Sequence, residues 1–377
     1  MTKTIVFLGA GLAAIPIVRQ VLKTIVLPSS DYKVVLVAPN THFHWPIAMP
    51  RVIIPGQMPN EKVFISLEER FKEFPASKFE HVVGKASNLD PDGKTVTVEL
   101  INGGTQSVSY DYLVIATGSA AKDEMPWKLV DTVEKTKEVI EKLRTDITKA
   151  KKIVVAGGGA TGAEIAGELG FEYGKSGAKE IYYVYSSENP LAALNDNVQK
   201  VAKSVLEELK VKLIPNTYVT KVTKGEKGET VLELKGKDGN VKSFTADTYL
   251  PAIGVTPNSS FAPKRLLDAQ GFIKQTKTLQ AEGYDDIWVV GDVGSLEASK
   301  GIEADAQGKY LVKALKEVIV NKGSAPEYTP TAAYSMGVTL GRSKGTGQMN
   351  GWKIPSFLIW FIKGRALLTD KIDSLFV

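Results

Sequence analysis

One short pattern, present twice, constrains this chain of 377 residues more than any other feature. It is an apolar strand, a glycine-rich turn and a helical stretch that leads to a second apolar strand. The first copy runs TIVFL (4–8), GAGLAA, a helical pattern to about Leu27, then KVVLV (33–37). The second runs KIVVA (152–156), GGGATG, a helical pattern to about Tyr173, then IYYVY (181–185). Each copy is a βαβ unit with its glycines where strand meets helix, which predicts an α/β fold with two Rossmann-like dinucleotide-binding domains. The length exceeds one ordinary core and accommodates a smaller third part. The reading assigns residues 1–120 and 247–325 to the first domain, 121–246 to the second, and 326–377 to a small C-terminal α+β domain.

The glycine spacing is the one a dinucleotide pyrophosphate requires. In Gly9-x-Gly11-x-x-Ala14 the first glycine makes the tight turn and the second lets the backbone approach the phosphates. The small third residue lets helix and strand pack closely, and the helix N-terminus attracts negative charge. Gly157-x-Gly159-x-x-Gly162 repeats the arrangement. Two features depart from the ideal. Pro16 falls inside the first helix, where it removes a donor and is expected to kink or shorten the first turns. Both second strands also lack a carboxylate at the strand end for a ribose hydroxyl: the first runs out into Ala38-Pro39-Asn40, the second into Tyr185-Ser186-Ser187 ahead of Glu188. The Asn40 amide is the candidate substitute. After Tyr185 the missing carboxylate permits a 2′-phosphate and no Arg follows to favour one, so NADH and NADPH both stay open, the balance leaning to NADH.

Three more stretches carry chemistry. Asp292 ends the strand IWVVGD (287–292), next to a glycine and ahead of a helical stretch from about Ile302 to Val320, which suits the ribityl hydroxyls of FAD. Ala116-Thr117-Gly118-Ser119 and Ile253-Gly254-Val255-Thr256-Pro257 are similar strand-to-turn exits. Glu164 sits just past Gly162, where it either complements the helix dipole or lies near the nicotinamide ribose or the flavin edge.

Composition narrows the options. The chain has no cysteine, which removes thiol–disulfide mechanisms and thiolate metal sites, and three histidines lead to no expected metal site. Any redox chemistry therefore falls to a bound cofactor. A net charge of +5 from 47 basic and 42 acidic residues, without a basic run, gives no expectation of nucleic-acid binding. No charged-then-apolar leader precedes Thr4, Met-Thr-Lys lacks a myristoylation glycine, and no 18-residue apolar stretch occurs. The expectation is a chain without a cleavable signal or a spanning helix.

Taken in order, GxGxxA, ATGS, GxGxxG, IGxxP and GD resemble the two-dinucleotide-binding flavoproteins. Within them, GGGATGAEIAGEL, IWVVGDV, MGVTLGRSKGTGQMNG and IPSFLI…KGRALLTDKIDSLF resemble the mitochondrion-associated apoptosis-inducing factor homologues, the branch with ferroptosis suppressor protein, and most closely its fungal members. The resemblance implies FAD as the held cofactor, NAD(P)H as donor, and a quinone-type acceptor or oxygen. It leaves room for a reductase of a small electron-transfer protein, or for a slow redox-sensing or death-signalling flavoprotein. By position it implies that Glu164 and Lys363 lie near the reacting part of the flavin, where a cation stabilises negative charge on the reduced ring. A surface lysine capping an apolar segment is the alternative for Lys363. The resemblance also implies that Arg51 contacts FAD or closes its pocket, and it aligns Lys300 with a lysine after the GD motif. Ala38 stands where relatives carry an acidic residue. Trp352, Phe357, Trp360 and Phe361 are expected mainly as core of the C-terminal domain, with a quinone entry or a bilayer surface as the alternative. Peripheral association with mitochondria or lipid droplets, a cytoplasmic location and a homodimer are all compatible with the resemblance.

Overall fold

The structure is a computed structural model that describes residues 2–226, 228–297, 301–330 and 334–377. Strand β1 (Lys3–Leu8) is followed by helix α1 (Ala14–Val21) and strand β2 (Tyr32–Ala38). Ile5, Val6, Phe7 and Leu8 are all buried, because β1 is covered on both faces as the inner strand of a parallel sheet. Strand β3 (Tyr112–Ile115) pairs parallel with the other edge of β1. The strand order therefore reverses at β1, the place where α/β sheets open a ligand crevice beyond the strand ends. The sheet has seven strands; Phe79–Asp90 pairs parallel with β2 through its first half and then turns into an antiparallel meander.

The second unit repeats the design. Strand β4 (Lys152–Ala156), helix α2 (Ala160–Leu169) and strand β5 (Glu180–Val184) build a four-stranded parallel sheet whose other members are Val211–Ile214 and Thr248–Pro251. A three-stranded antiparallel sheet lays Leu232 and Leu234 against Val154, Ala156 and Val184. The sequence boundary at 247 needs correcting here. Thr248–Pro251 pairs with β4, so the chain leaves the second unit only after Pro251. Val241–Ala246 and Thr248–Pro251, although adjacent in sequence, are two strands that belong to different sheets.

Strand β6 (Ile287–Val289) returns to the first sheet beside β3, and helix α3 (Gly301–Ile319) packs back toward α1. The last segment forms an antiparallel sheet from β7 (Met336–Leu340), β8 (Lys344–Met349) and Trp352–Lys353, followed by helical turns. Its buried residues Val338, Leu340, Leu367 and Phe376 share one apolar cluster with both nucleotide units. Gly167 of α2 lets the backbone of β7 approach, since a Cβ there would lie 2.8 Å from the Gly341 nitrogen. At the other end Phe376 meets Phe43 edge-on at 5.8 Å. The segment thus bridges the two units.

Pro16 acts as expected. The regular helix starts at Ala14, three residues past Gly11, whereas α2 starts directly after Gly159. The missing Pro16 N–H removes the hydrogen bond that would close the earlier turn. The expectation that the C-terminal aromatics form core is overturned. Trp352, Phe357 and Phe361 are 81%, 66% and 58% exposed, and Trp360 is 37% exposed. Ile359 of the same turn takes the inward position.

Candidate functional site

Each glycine turn divides its labour in the same way. Gly9 has φ +104°, and a Cβ on it would sit 2.3 Å from the Ala116 carbonyl oxygen. Gly157 has φ +124°, with the corresponding clash at 2.2 Å from the Ala252 oxygen. Both need glycine for the turn and for close approach to the neighbouring strand exit. Gly11 and Gly159 differ, because a Cβ on either would meet nothing within 4 Å. Packing within the protein therefore does not require glycine at either position. At the third position, a Cβ on Gly162 would lie 2.0 Å from the Gly157 oxygen, while Ala14 is accommodated in the first turn.

Beyond the end of β1 lies a cavity of about 970 Å³, lined by Gly9, Gly11, Asn40, Ala116, Thr117, Gly118 and Asp292 among others. Seven sequence-derived candidates therefore converge on one space. Asp292 accepts from Ser119 Oγ at 2.9 Å and from Lys128 Nζ. Asn40 is 8% exposed and its Oδ1 has no hydrogen-bond partner among the described residues. His44 also lines the cavity, and burial, aided by the Lys128 charge, lowers its pKa to about 3. His42 shifts in the same direction, through burial and the Lys137 charge, with Glu134 opposing. Sequence reading missed Lys128, Ser119 and His44 as site residues. Ser119 closes the quoted ATGS motif, but nothing local marks the other two.

The remaining candidates lie away from this cavity wall. Glu164 on α2 accepts from Thr339 N at 3.0 Å, Thr339 Oγ1 at 3.2 Å and Lys363 Nζ at 2.6 Å. Lys363 also donates to the Gly337 carbonyl, so the surface-capping alternative does not describe it. Arg51 is not at the cavity. Its guanidinium donates twice to Glu168 Oε1, at 3.0 and 2.7 Å, and to the Gly364 carbonyl at 3.0 Å. The reason is electrostatic: Glu168 is wholly buried one helical turn beyond Glu164 and requires a counter-charge. Gly254 has φ +96° at a crossing where Val255–Pro257 pairs with Ser119–Ala121. The two strand exits noted in the sequence are thus neighbours. Lys300 lies outside the described residues. Among the described residues no cluster of His, Asp and Glu is suited to a metal ion.

A family model described as pyridine nucleotide-disulphide oxidoreductase matches residues 3–314. The chain is 36% identical to oxidoreductase ptaL of Pestalotiopsis fici over 373 residues, 99% of this chain and 98% of that protein. It is 29% identical to ferroptosis suppressor protein 1 of Xenopus tropicalis, over 97% of this chain and 94% of that one. Among solved structures, NDH2 from Plasmodium falciparum in complex with NADH matches over 100% of both chains, with a TM-score of 0.78 and 13% identity. The sulfide:quinone oxidoreductase from Aquifex aeolicus matches with a TM-score of 0.77 and 17% identity, over 96% of this chain and 89% of that one. At those identities the structural likeness is one of fold.

Proposed function

Because this chain belongs to the pyridine nucleotide-disulphide oxidoreductase family, we propose that it is a FAD-dependent NAD(P)H oxidoreductase whose final acceptor is a quinone or oxygen. The observation that carries this reading is the convergence of Gly11, Asn40, the 116–118 turn and Asp292 on one cavity at the reversal point of the sheet. The cavity fits a dinucleotide: its glycine has room where a Cβ would intrude, and Asn40 Oδ1 is a buried acceptor in want of a donor. At about 970 Å³ it lies at the upper end of the ~300–1,000 Å³ typical of ligand pockets.

FAD, when bound, would supply the hydride and electron chemistry. The chain supplies position and charge. The Gly9–Gly11 turn and the start of α1 present backbone N–H groups to the pyrophosphate. Asp292 offers a carboxylate to sugar hydroxyls, and Ser119 and Lys128 hold it in place. Asn40 takes over the adenosine ribose from the acidic residue that Ala38 replaces. The Gly157–Gly159 turn receives NAD(P)H, and Ser186 in place of a carboxylate at the strand end leaves room for a 2′-phosphate. We assign Lys363, fixed by Glu164, to electrostatic stabilisation of the negative charge that hydride transfer creates. With no cysteine in the chain, no dithiol relays the electrons.

The domain reading follows, with its internal boundary moved past Pro251: the first sheet serves FAD and the second NAD(P)H. Among the described residues no helix is long and apolar enough to cross a membrane. The exposed Trp352, Phe357 and Phe361, with Lys353 and Arg365 nearby in sequence, instead suit peripheral contact with a lipid surface such as a mitochondrion or lipid droplet. Co-sedimentation with anionic vesicles tests that contact.

The central test is anaerobic titration with NADH and with NADPH while the visible spectrum is recorded, followed by addition of a quinone. A yellow protein bleached by one nucleotide and recoloured by quinone is expected. A colourless protein, or one that neither nucleotide bleaches, overturns the reading. Bleaching followed by very slow recolouring would favour the redox-sensing alternative.

A further inference from the structure

We propose that His44 is a binding residue for FAD, its neutral imidazole hydrogen-bonding an uncharged polar group of the cofactor. The proposal rests on the reading above and concerns a side chain that no motif marks.

His44 ends the short strand His42–His44, which pairs antiparallel with Phe64–Ser66. Its ring stacks on Phe64 with centroids 5.2 Å apart and planes 20° from parallel. That contact fixes the ring plane and directs the two nitrogens along it. The residue is 8% exposed and lines the cavity, yet its Nε2 is buried with no hydrogen-bond partner among the described residues. Buried polar groups are nearly always paired, so an imidazole nitrogen left unpaired in a cavity wall points to a partner from outside the protein. His81 provides the contrast. Its Nε2 is also buried and unpaired, but it does not line the cavity.

The charge state narrows the partner. Burial and Lys128 keep His44 neutral throughout the physiological range, so it offers one donor and one acceptor. The wall already carries cations: Lys128, held on Asp292, with Lys85 and Lys135 also lining the cavity. A further cation for the pyrophosphate is therefore not what His44 provides. Ribityl hydroxyls and ring carbonyls are the groups of FAD that a neutral donor–acceptor satisfies.

The test titrates deflavinated protein with FAD, following flavin fluorescence and the visible spectrum, for wild type, His44→Phe and His44→Gln. Phenylalanine keeps the stack and removes both nitrogens, and glutamine restores a donor and an acceptor. Loss of one such hydrogen bond weakens FAD binding about tenfold in the phenylalanine variant, and glutamine recovers most of it. Wild-type affinity and spectrum in the phenylalanine variant overturn the proposal, as does equal loss in both variants. Failure of wild type to bind FAD overturns the functional reading instead. If the phenylalanine variant does not fold, the chain has only three histidines, so ¹⁵N-histidine resonances of the wild type decide. FAD must shift the His44 ring nitrogens more than those of His81; unmoved His44 resonances overturn the proposal.

Discussion

Glu164 and Lys363, 199 positions apart in the chain, meet at 2.6 Å where α2 packs under the C-terminal segment. Glu164 is also held by the amide and hydroxyl of Thr339, so three donors converge on one carboxylate oxygen. The arrangement fixes a lysine side chain that is 18% exposed in a single position.

Removing the cation tests its role directly. Lys363→Met is expected to retain FAD and to slow anaerobic flavin bleaching by NAD(P)H at least about tenfold, which corresponds to about 1.4 kcal/mol of transition-state stabilisation. Stability should fall by only about 1–3 kcal/mol, since Thr339 still serves Glu164. Stopped-flow absorbance and urea melts measure the two effects. Bleaching at the wild-type rate would remove Lys363 from the reaction.

Arg51 makes the opposite prediction. Arg51→Ala removes both hydrogen bonds to Glu168, whose side chain is 1% exposed, and leaves it only the longer ion pair to Arg342 at 3.6 Å; breaking a buried pair from one side costs about 3–5 kcal/mol. Thermal melting of the protein without FAD should show the loss. FAD affinity, measured on whatever folds, should change far less than stability.

The glycines divide by role. Gly9→Ala and Gly157→Ala each push a Cβ into a backbone carbonyl at positive φ and should prevent folding. Gly11→Ala should leave the melting temperature of the FAD-free protein nearly unchanged while FAD binding collapses. Gly159→Ala should keep FAD and raise the KM for NAD(P)H. Loss of fold in Gly11→Ala would contradict the open space around it.

Stability should decline in mild acid. His44 and His81 are held neutral by burial, with pKa lowered to about 3 and about 4 from the ordinary 6.5 of histidine. Between those values and 6.5 the unfolded chain binds protons that the folded one refuses, so stability is lost as pH falls. At pH 5 each contributes a loss of about 2 kcal/mol relative to pH 7. Urea unfolding of the protein at the two pH values measures it; half the loss would mean that one of these imidazoles is protonated in the folded state, and a flat profile that both are.

Several elements were hard to read from sequence for identifiable reasons. Phe79–Asp90 changes partner halfway along and lacks a consistent alternation, so no strand of that length stands out. Val133–Lys149 and Asp196–Glu208 are amphipathic helices without a chemical motif, and a search led by motifs passes over them. Gly9, Gly11, the 116–118 turn and Asp292 were all legible because each sits at the end of an apolar strand. Lys128 and His44 were not, since both reach the site from irregular or very short segments.

From the sequence alone came the two dinucleotide turns, because a strand–glycine–helix junction is written in about six contiguous residues whose backbone geometry is local. Only the tertiary structure decided what the distant side chains do. Sheet order places Asp292 beside the first turn. Docking of residues 334–377 across both units joins Lys363 to Glu164 and closes the Gly364 carbonyl over Arg51 and Glu168. Such pairs follow from burial and charge balance across the packed interface, which no stretch of sequence records.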